Sequence, residues 1–335
     1  AATASITAIG GGWYRCSISQ TATSTASAVF AIYNASANNV TSYTGDGNSG
    51  VYIYGAQLSD SASLDAYVPT PGAAPSSTAY YGPRFDYDPV TLAPKGILVE
   101  EARTNLFTYS EQLDDAAWSK INSAVTANAT TAPNGTASAD LVIPSTAASA
   151  AHLLHRNAVN TFALNAPATI SFYAKAAGYN FAAASMIFNG NGSGAGAIFD
   201  LVNLTSSGFA VAADATVTSS VVDVGNGWRR CVLTVTSSGV TLNSASISMS
   251  PTASPAVNFV YRTPSFTGDG TSGIFVYGAQ LEAGAFATSY IPTIASTVTR
   301  SADVAAITGS LFSQWYGQSE GTFVASFDMA GGSAA

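Results

Sequence analysis

Hydrophobic and polar residues alternate along several short segments, and clusters of Gly, Asn, Pro and Ser separate these segments. Residues 168–174 show the pattern clearly, because Ile170, Phe172 and Ala174 share one face of an extended chain and polar residues lie between them. Short strands between turn residues are typical of a β-sandwich or a barrel. We therefore predict an all-β fold, with further strands over residues 197–201, 219–224, 228–235, 244–249 and 274–281.

The last of these strands is apolar on both faces. Strict alternation predicts Phe275, Tyr277 and Leu281 on one face, with Ile274 and Val276 on the other. One face of a sandwich sheet normally meets water, so the second apolar face predicts cover by a neighbouring domain, another subunit or a ligand.

Local signals interrupt the strand pattern. Ser110 is predicted to cap a short helix over residues 111–118, with Leu113 and Trp118 facing inward. Two Gly-Asp-Gly triplets, at residues 45–47 and 268–270, predict tight turns.

Two blocks of the sequence recur. Residues 12–16 (GWYRC) match residues 227–231 (GWRRC) at an offset of 215 positions. Residues 43–58 then match residues 266–281 at 11 of 16 positions, at an offset of 223. A period of this length indicates one type of domain present twice.

The repeat predicts the domain organisation. Residues 1–70 are the C-terminal part of a first module, 71–101 a connector, 102–293 a complete module, and 294–335 a linker with the first strand of a further domain. We expect the chain to be a piece of a longer one, because each end holds only part of a domain, the last a lone strand over residues 321–327.

The connector concentrates charge in a chain that carries little. Two interpretations stay open: a folded connector with local ion pairs that sets domain orientation, and a solvated loop. The seven charged residues of the stretch 71–104 are Arg84, Asp86, Asp88, Lys95, Glu100, Glu101 and Arg103.

Composition excludes some partners. The 335 residues are 47% hydrophobic, enough to form cores, but only 9% charged, with a net charge of −8. No basic stripe is available to neutralise phosphates, which disfavours nucleic acid as a partner. No apolar run approaches the roughly 18 residues that span a bilayer, so we expect no membrane insertion.

Reactive side chains are few. His152 and His155 lie three apart on a predicted strand and point to opposite faces, so we expect partly exposed histidines and no shared metal. Cys16 and Cys231 occupy the same repeat position, and each is interpreted as a small buried residue without a disulfide.

Acidic residues form no recognisable catalytic arrangement. The adjacent pairs at 100–101 and 114–115 face opposite ways on a strand, unlike the two acids of a glycosidase. Asp46 and Asp269 supply one carboxylate per glycine turn, too few to argue for Ca²⁺, which stays an open alternative to plain turn chemistry. We predict no catalytic residues, no metal and no cofactor.

An ordered set of segments carries a family resemblance. The chain resembles bacteriophage tail-fibre, head-fibre and spike proteins with carbohydrate-binding-module-like jelly-roll domains. The connector through residue 101 is similar to a phage-fibre junction, and residues 301–327 resemble the opening of a concanavalin A-like (laminin-G-type) domain. The segments that carry the jelly-roll match are 102–106, 132–136, 171–175, 225–228 and 277–282.

The resemblance implies tandem antiparallel jelly-roll β-sandwiches on the surface of a virion, outside the cell. It implies a homo-oligomer, a trimer above all, that contacts other virion proteins and host surface polysaccharide. Because sugars stack on flat aromatic rings beside fixed polar groups, we expect glycan contacts from Tyr173, Lys175 and Gln280.

Other functions remain open. The chain is alternatively a spacer or capsid decoration without a ligand, with Ile274 and Val276 packed against symmetry mates. A secreted bacterial adhesin would have a similar composition. A glycan-degrading enzyme is disfavoured, because no suitable pair of acids is visible.

Overall fold

The computed structural model describes residues 2–21, 31–38, 40, 42–58, 84–188 and 193–305, with 316–317, 320–322, 324 and 326–327. The chain divides into two compact units, Ala1–Gly82 and Pro83–Ala335. Within the described residues the fold is all-β, in antiparallel sheets and without a helix. The predicted fold class is confirmed, and the jelly-roll topology stays a prediction.

The described part of the chain contains 21 strands. The six segments predicted in the second unit correspond to β11, β13, β15, β16, β17 and β20 below. The strands are β1 (Thr3–Gly10), β2 (Trp13–Ser19), β3 (Arg84–Tyr87), β4 (Pro94–Leu98), β5 (Arg103–Asn105), β6 (Ser119–Ile121), β7 (Ser123–Thr130), β8 (Ala139–Pro144), β9 (Ala150–Ala151), β10 (Leu153–Thr161), β11 (Pro167–Ala177), β12 (Phe181–Phe188), β13 (Ser193–Asp200), β14 (Thr205–Phe209), β15 (Ala215–Asp223), β16 (Arg229–Ser237), β17 (Thr241–Ser250), β18 (Ala256–Asn258), β19 (Thr263–Phe266), β20 (Gly273–Ala283) and β21 (Val298–Arg300).

Two six-stranded sheets enclose the core of the second unit. Their strand orders are β14-β13-β12-β17-β10-β6 and β15-β16-β11-β20-β8-β7. Phe172 of one sheet meets Phe199 of the other edge to face, with ring centroids 5.9 Å apart. Both sheets contribute fully buried residues to a single cluster, as expected for face-to-face sheets with alternating inner side chains.

The repeated sequence folds into hairpins of the same register. Ile6 pairs with Cys16 between β1 and β2, and Val221 pairs with Cys231 between β15 and β16. Every pair from Thr3 with Ser19 to Ala8 with Tyr14 recurs 215 positions later. The equivalence predicted from the repeat is therefore confirmed for this hairpin.

The second repeated block shares its turn. Oδ1 of Asp46 accepts hydrogen bonds from the backbone amides two and three residues later, at 2.9 and 2.7 Å. Oδ1 of Asp269 accepts the equivalent pair at 2.8 and 2.7 Å. Residues 51–58 form no strand, however, whereas their counterparts lie in β20.

The surroundings of the two repeated tryptophans differ. Trp13 is 46% exposed, whereas Trp228 is 1% exposed against Ala132, Ala139 and Tyr277. Counting back 215 positions from Ala132 and Ala139 leads to positions before residue 1. The first hairpin therefore has no counterparts of these two partners in this sequence.

A β-bulge corrects the predicted faces of β20. Ser171 pairs with Gln280 and Tyr173 pairs with Tyr277, so β20 has one extra residue between these pairs. Gly278 has a φ of 63° at this point. The bulge reverses the alternation, and Leu281 lies in the core on the same face as Ile274 and Val276.

The helix predicted over residues 111–118 is absent. A helix there would bond the amide of Leu113 to the carbonyl of Tyr109, but that amide donates instead to Asp140 Oδ2 at 2.8 Å. The Tyr109 carbonyl accepts the indole N–H of Trp118 at 3.0 Å. Leu113 and Trp118 are buried as predicted, but a series of turns carries them inward.

The described part of the connector, residues 84–101, is folded, as one of the two interpretations predicted. β3 and β4 form a hairpin that belongs to the second unit. Arg84 bonds both Glu100 and Asp303, and Arg300 lies 3.3 Å from Glu100. The hairpin is thereby tied to the chain beyond β21.

The second unit extends beyond the 102–293 module at both ends. β21 pairs with β5, so residues 298–300 belong to this unit. The repeat ending at residues 67–70 and residues 71–83 of the predicted connector lie outside the described residues. The strand predicted over 321–327 lies partly outside them, and its described residues are not in a strand.

Candidate functional site

The candidate site lies on the outer face of the sheet that contains β16, β11 and β20. The same alternation that sends Phe172 into the core turns Tyr173 and Lys175 outward. Tyr173 pairs with Arg230 on one side and with Tyr277 on the other. The structure therefore brings together two of the three residues predicted to contact a glycan.

Three tyrosine rings form the centre of this face. The ring centroids of Tyr173 and Tyr277 are 5.9 Å apart, and those of Tyr277 and Tyr290 are 5.6 Å apart. Tyr277 is buried, whereas Tyr173 is half-buried and keeps part of its ring accessible. We call Tyr173, Tyr277, Tyr290, Lys175 and Arg230 the tyrosine face.

Hydrogen bonds fix the phenol groups behind Tyr173. The Tyr277 hydroxyl donates to Glu111 Oε1 at 2.9 Å and accepts from Asn134 Nδ2 at 2.8 Å. The Tyr290 hydroxyl lies 2.6 Å from Ser110 Oγ. Burial and the negative charge of Glu111 raise the pKa of both phenols, which therefore remain neutral.

Two cations flank the accessible ring. The guanidinium carbon of Arg230 lies 5.7 Å from the Tyr173 ring centroid, and Arg230 also donates to the carbonyl of Thr288. Lys175 pairs across the strands with Phe275, and its side chain runs past Gly227. Both cations are half-buried.

Gln280 is too deeply buried to contact a glycan, contrary to the prediction. Its side chain is fully buried, with Nε2 donating to Glu282 Oε2 at 2.7 Å and Oε1 accepting from the amide of Ile291 at 2.7 Å. The adjacent carboxylate of Glu282 accepts from the amide of Thr288 at 3.0 Å. Gln280 therefore holds residues 288–291 on the sheet and touches no external ligand.

The same segment supplies the cover predicted for β20. Tyr290 and Ile291 lie against its outer face, so the covering element belongs to the same unit and not to another subunit. Ile274 and Val276 lie in the core of the sandwich. The prediction that they pack against symmetry mates is therefore wrong.

Residues from distant segments were missed by the sequence reasoning. Glu111, Asn134 and Tyr290 come from loops that carry no local signal for this face. Arg230 had a signal, because alternation along the predicted strand 228–235 separates it from the core residues Cys231 and Leu233.

The histidines are buried, contrary to the expectation of partial exposure. Nδ1 of His155 lies 3.0 Å from Ser246 Oγ and Nε2 lies 3.0 Å from Asn157 Oδ1, which resembles the triad of a serine hydrolase with the two ring nitrogens exchanged. Ser246 is 2% exposed, however, and the Tyr261 ring packs edge-on against the imidazole. This burial keeps substrates from the hydroxyl and indicates a structural role.

The structure also describes the two cysteines and the two turn aspartates of the repeat. Cys231 is buried as predicted, but Cys16 is exposed, contrary to the prediction. Hydrogen bonds from the neighbouring serine lower the pKa of Asp46 and of Asp269 to about 2, which fits turn chemistry. No group of three or more metal-ligating side chains occurs among the described residues.

No family model matches the chain, and no curated protein matches it either. Among the described residues, no helix is long and apolar enough to cross a membrane.

Proposed function

We propose that this chain is an adhesion segment of a bacteriophage fibre or spike, and that its second unit binds host surface glycans at the tyrosine face. The observation that carries the proposal is the half-exposed ring of Tyr173, backed by Tyr277 and Tyr290. A rigid aromatic ring offers the flat apolar surface on which the C–H face of a sugar stacks.

The surroundings of that ring supply the polar groups that a sugar needs. Lys175 offers N–H donors beside the ring.

The test is glycan binding by the full chain, measured on an array of bacterial surface polysaccharides. Tyr173→Ala is expected to weaken binding roughly tenfold, the equivalent of about 1.4 kcal/mol. Tyr173→Phe keeps the ring and is expected to bind nearly as well.

Tyr87→Ala is the matched control, because Tyr87 is an exposed tyrosine on the β3–β4 hairpin. Equal losses from the Tyr87 and Tyr173 variants would count against the site. If the folded full chain binds no polysaccharide, the adhesion proposal is wrong.

A second candidate function is a spacer or decoration. It is favoured by the closed form of the second unit, whose β20 face is covered by its own chain and whose connector is tied down by ion pairs. Light scattering tests the trimer that we expect in either case. Detection of the chain in purified virus particles separates a virion protein from a secreted bacterial adhesin.

A further inference from the structure

Two positive charges on the tyrosine face lack an acidic partner. Lys175 and Arg230 form no ion pair with any residue that the structure describes. The chain carries a net charge of −8, so acids outnumber bases, yet no described acid pairs with either of these two cations. The arginines of the second unit that do pair with acids are Arg84, Arg103, Arg229 and Arg300.

The strand register places these two residues on the same face of the sheet. Arg230 of β16 lies opposite Tyr173 of β11, and Lys175 is two residues further along β11 than Tyr173. Their side chains run in different directions, because Arg230 reaches Ser171 and Thr288 whereas Lys175 runs past Gly227. The two cations therefore lie on either side of the Tyr173 ring.

The acids nearest to this face are bonded to residues other than Lys175 and Arg230. Glu111 accepts the hydroxyl of Tyr277, and Asp223 pairs with Arg229 at 2.6 Å. Nε of Arg230 is buried without a hydrogen-bond partner, although its Nη2 donates to Thr288. The protein thus holds the Arg230 guanidinium in place, and Lys175 is the cation that the face offers to a ligand.

We infer that the glycan bound here is acidic and that its carboxylate lies against Lys175 while its ring stacks on Tyr173. This inference rests on the proposed function and specifies its ligand class: a polysaccharide of uronic or other carboxylated sugars. Overall attraction does not explain such binding, because the chain as a whole repels polyanions. The charge at the site is what selects the ligand.

The experiment compares matched ligands and matched variants of the full chain. The array carries neutral and acidic bacterial polysaccharides, and each acidic ligand is also tested after its carboxyl groups are reduced to alcohols. Carboxyl reduction and Lys175→Gln are each expected to weaken binding roughly 5-fold, with further weakening at high salt. Lys95→Gln removes the same charge from the exposed β4 strand and is expected to change nothing.

The outcomes separate this inference from the proposed function. If neutral polysaccharides bind, and this binding depends on Tyr173 but not on Lys175, the inference of an acidic ligand is wrong and the proposal of glycan adhesion stands. Acidic ligands that bind equally after carboxyl reduction overturn it as well. No binding to any polysaccharide overturns both proposals, and an unchanged melting temperature of Lys175→Gln verifies that the variant is folded.

Discussion

Glu100 holds the two ends of the second unit together, so Glu100→Gln is the sharpest test of the connector. Its Oε1 accepts the amide of Ser289 at 2.8 Å, and its Oε2 meets Arg84 at 2.8 Å and Arg300 at 3.3 Å. Burial pushes the pKa of Glu100 upward, but these bonds outweigh burial and hold the pKa below its ordinary value. The side chain is only 10% exposed, so screening by water is limited.

The expected loss follows from these contacts. Breaking a buried ion pair costs about 3–5 kcal/mol, and Asp303 still compensates Arg84 in the variant. We therefore expect Glu100→Gln to lower the free energy of unfolding by about 2–3 kcal/mol. For a unit of this size the melting temperature falls by roughly 4–12 °C.

Glu101→Gln is the matched control, because Glu101 is the adjacent acid and is 58% exposed in its pair with Arg103. A surface pair of this kind contributes about 0–1 kcal/mol. Thermal unfolding measures both variants, and hydrogen exchange of residues 84–98 reports whether the hairpin detaches. Equal losses of unfolding free energy in the two variants would refute the role of Glu100 in holding the hairpin to the end of the unit.

The pH dependence of the same pair provides a second measurement. A carboxyl group whose pKa is lowered on folding contributes stability that is present above its ordinary value of 4.5 and is lost as the pH falls through the folded value. The protonated group resembles glutamine. The difference between wild type and Glu100→Gln is therefore expected to shrink from pH 6 to pH 3, and a constant difference would contradict the charge argument.

Three further predictions concern the sheets. Gly278→Ala places a Cβ 3.1 Å from the Tyr173 ring at a positive φ, and is expected to cost about 1–2 kcal/mol in urea unfolding. Burial lowers the pKa of His155, so the folded state loses stability as the pH falls below about 6.5. The urea midpoint of the wild type is therefore expected to fall between pH 7 and pH 5, and this fall is expected to be smaller in His155→Gln. Iodoacetamide is expected to label Cys16 and spare Cys231, whose thiol pKa burial raises, when mass spectrometry follows the native protein.

Each of these predictions has a control. Gly135→Ala has a similar positive φ but no atom within 4 Å, so it isolates backbone strain from the contact with the ring. If the urea midpoint of His155→Gln depends on pH as strongly as that of the wild type, other titrating groups cause the dependence. Both thiols should react after unfolding in urea, and native labelling of Cys231 would contradict its burial.

Local patterns predicted the parts of the fold that neighbouring residues determine. The alternation of Ile170, Phe172 and Ala174 predicted both the strand and its inner face. The Asp269 turn followed from the residues beside it, because an aspartate before two free amides forms such a turn wherever it occurs.

The failures came from partners far away in sequence. Asp140 captures the amide of Leu113 from 27 residues away and prevents the predicted helix. Gln280 appeared to be a surface residue because its partner Ile291 arrives on a returning segment. Two of the five residues of the tyrosine face were predicted from β11, and Tyr290 was not, since no periodicity links it to that strand.

The pairing of β5 with β21 brings the entry and exit of the second sandwich to one side. A tensile load applied at residues 84 and 303 would pass through Arg84 and Asp303, and both sheets would stay outside the load path.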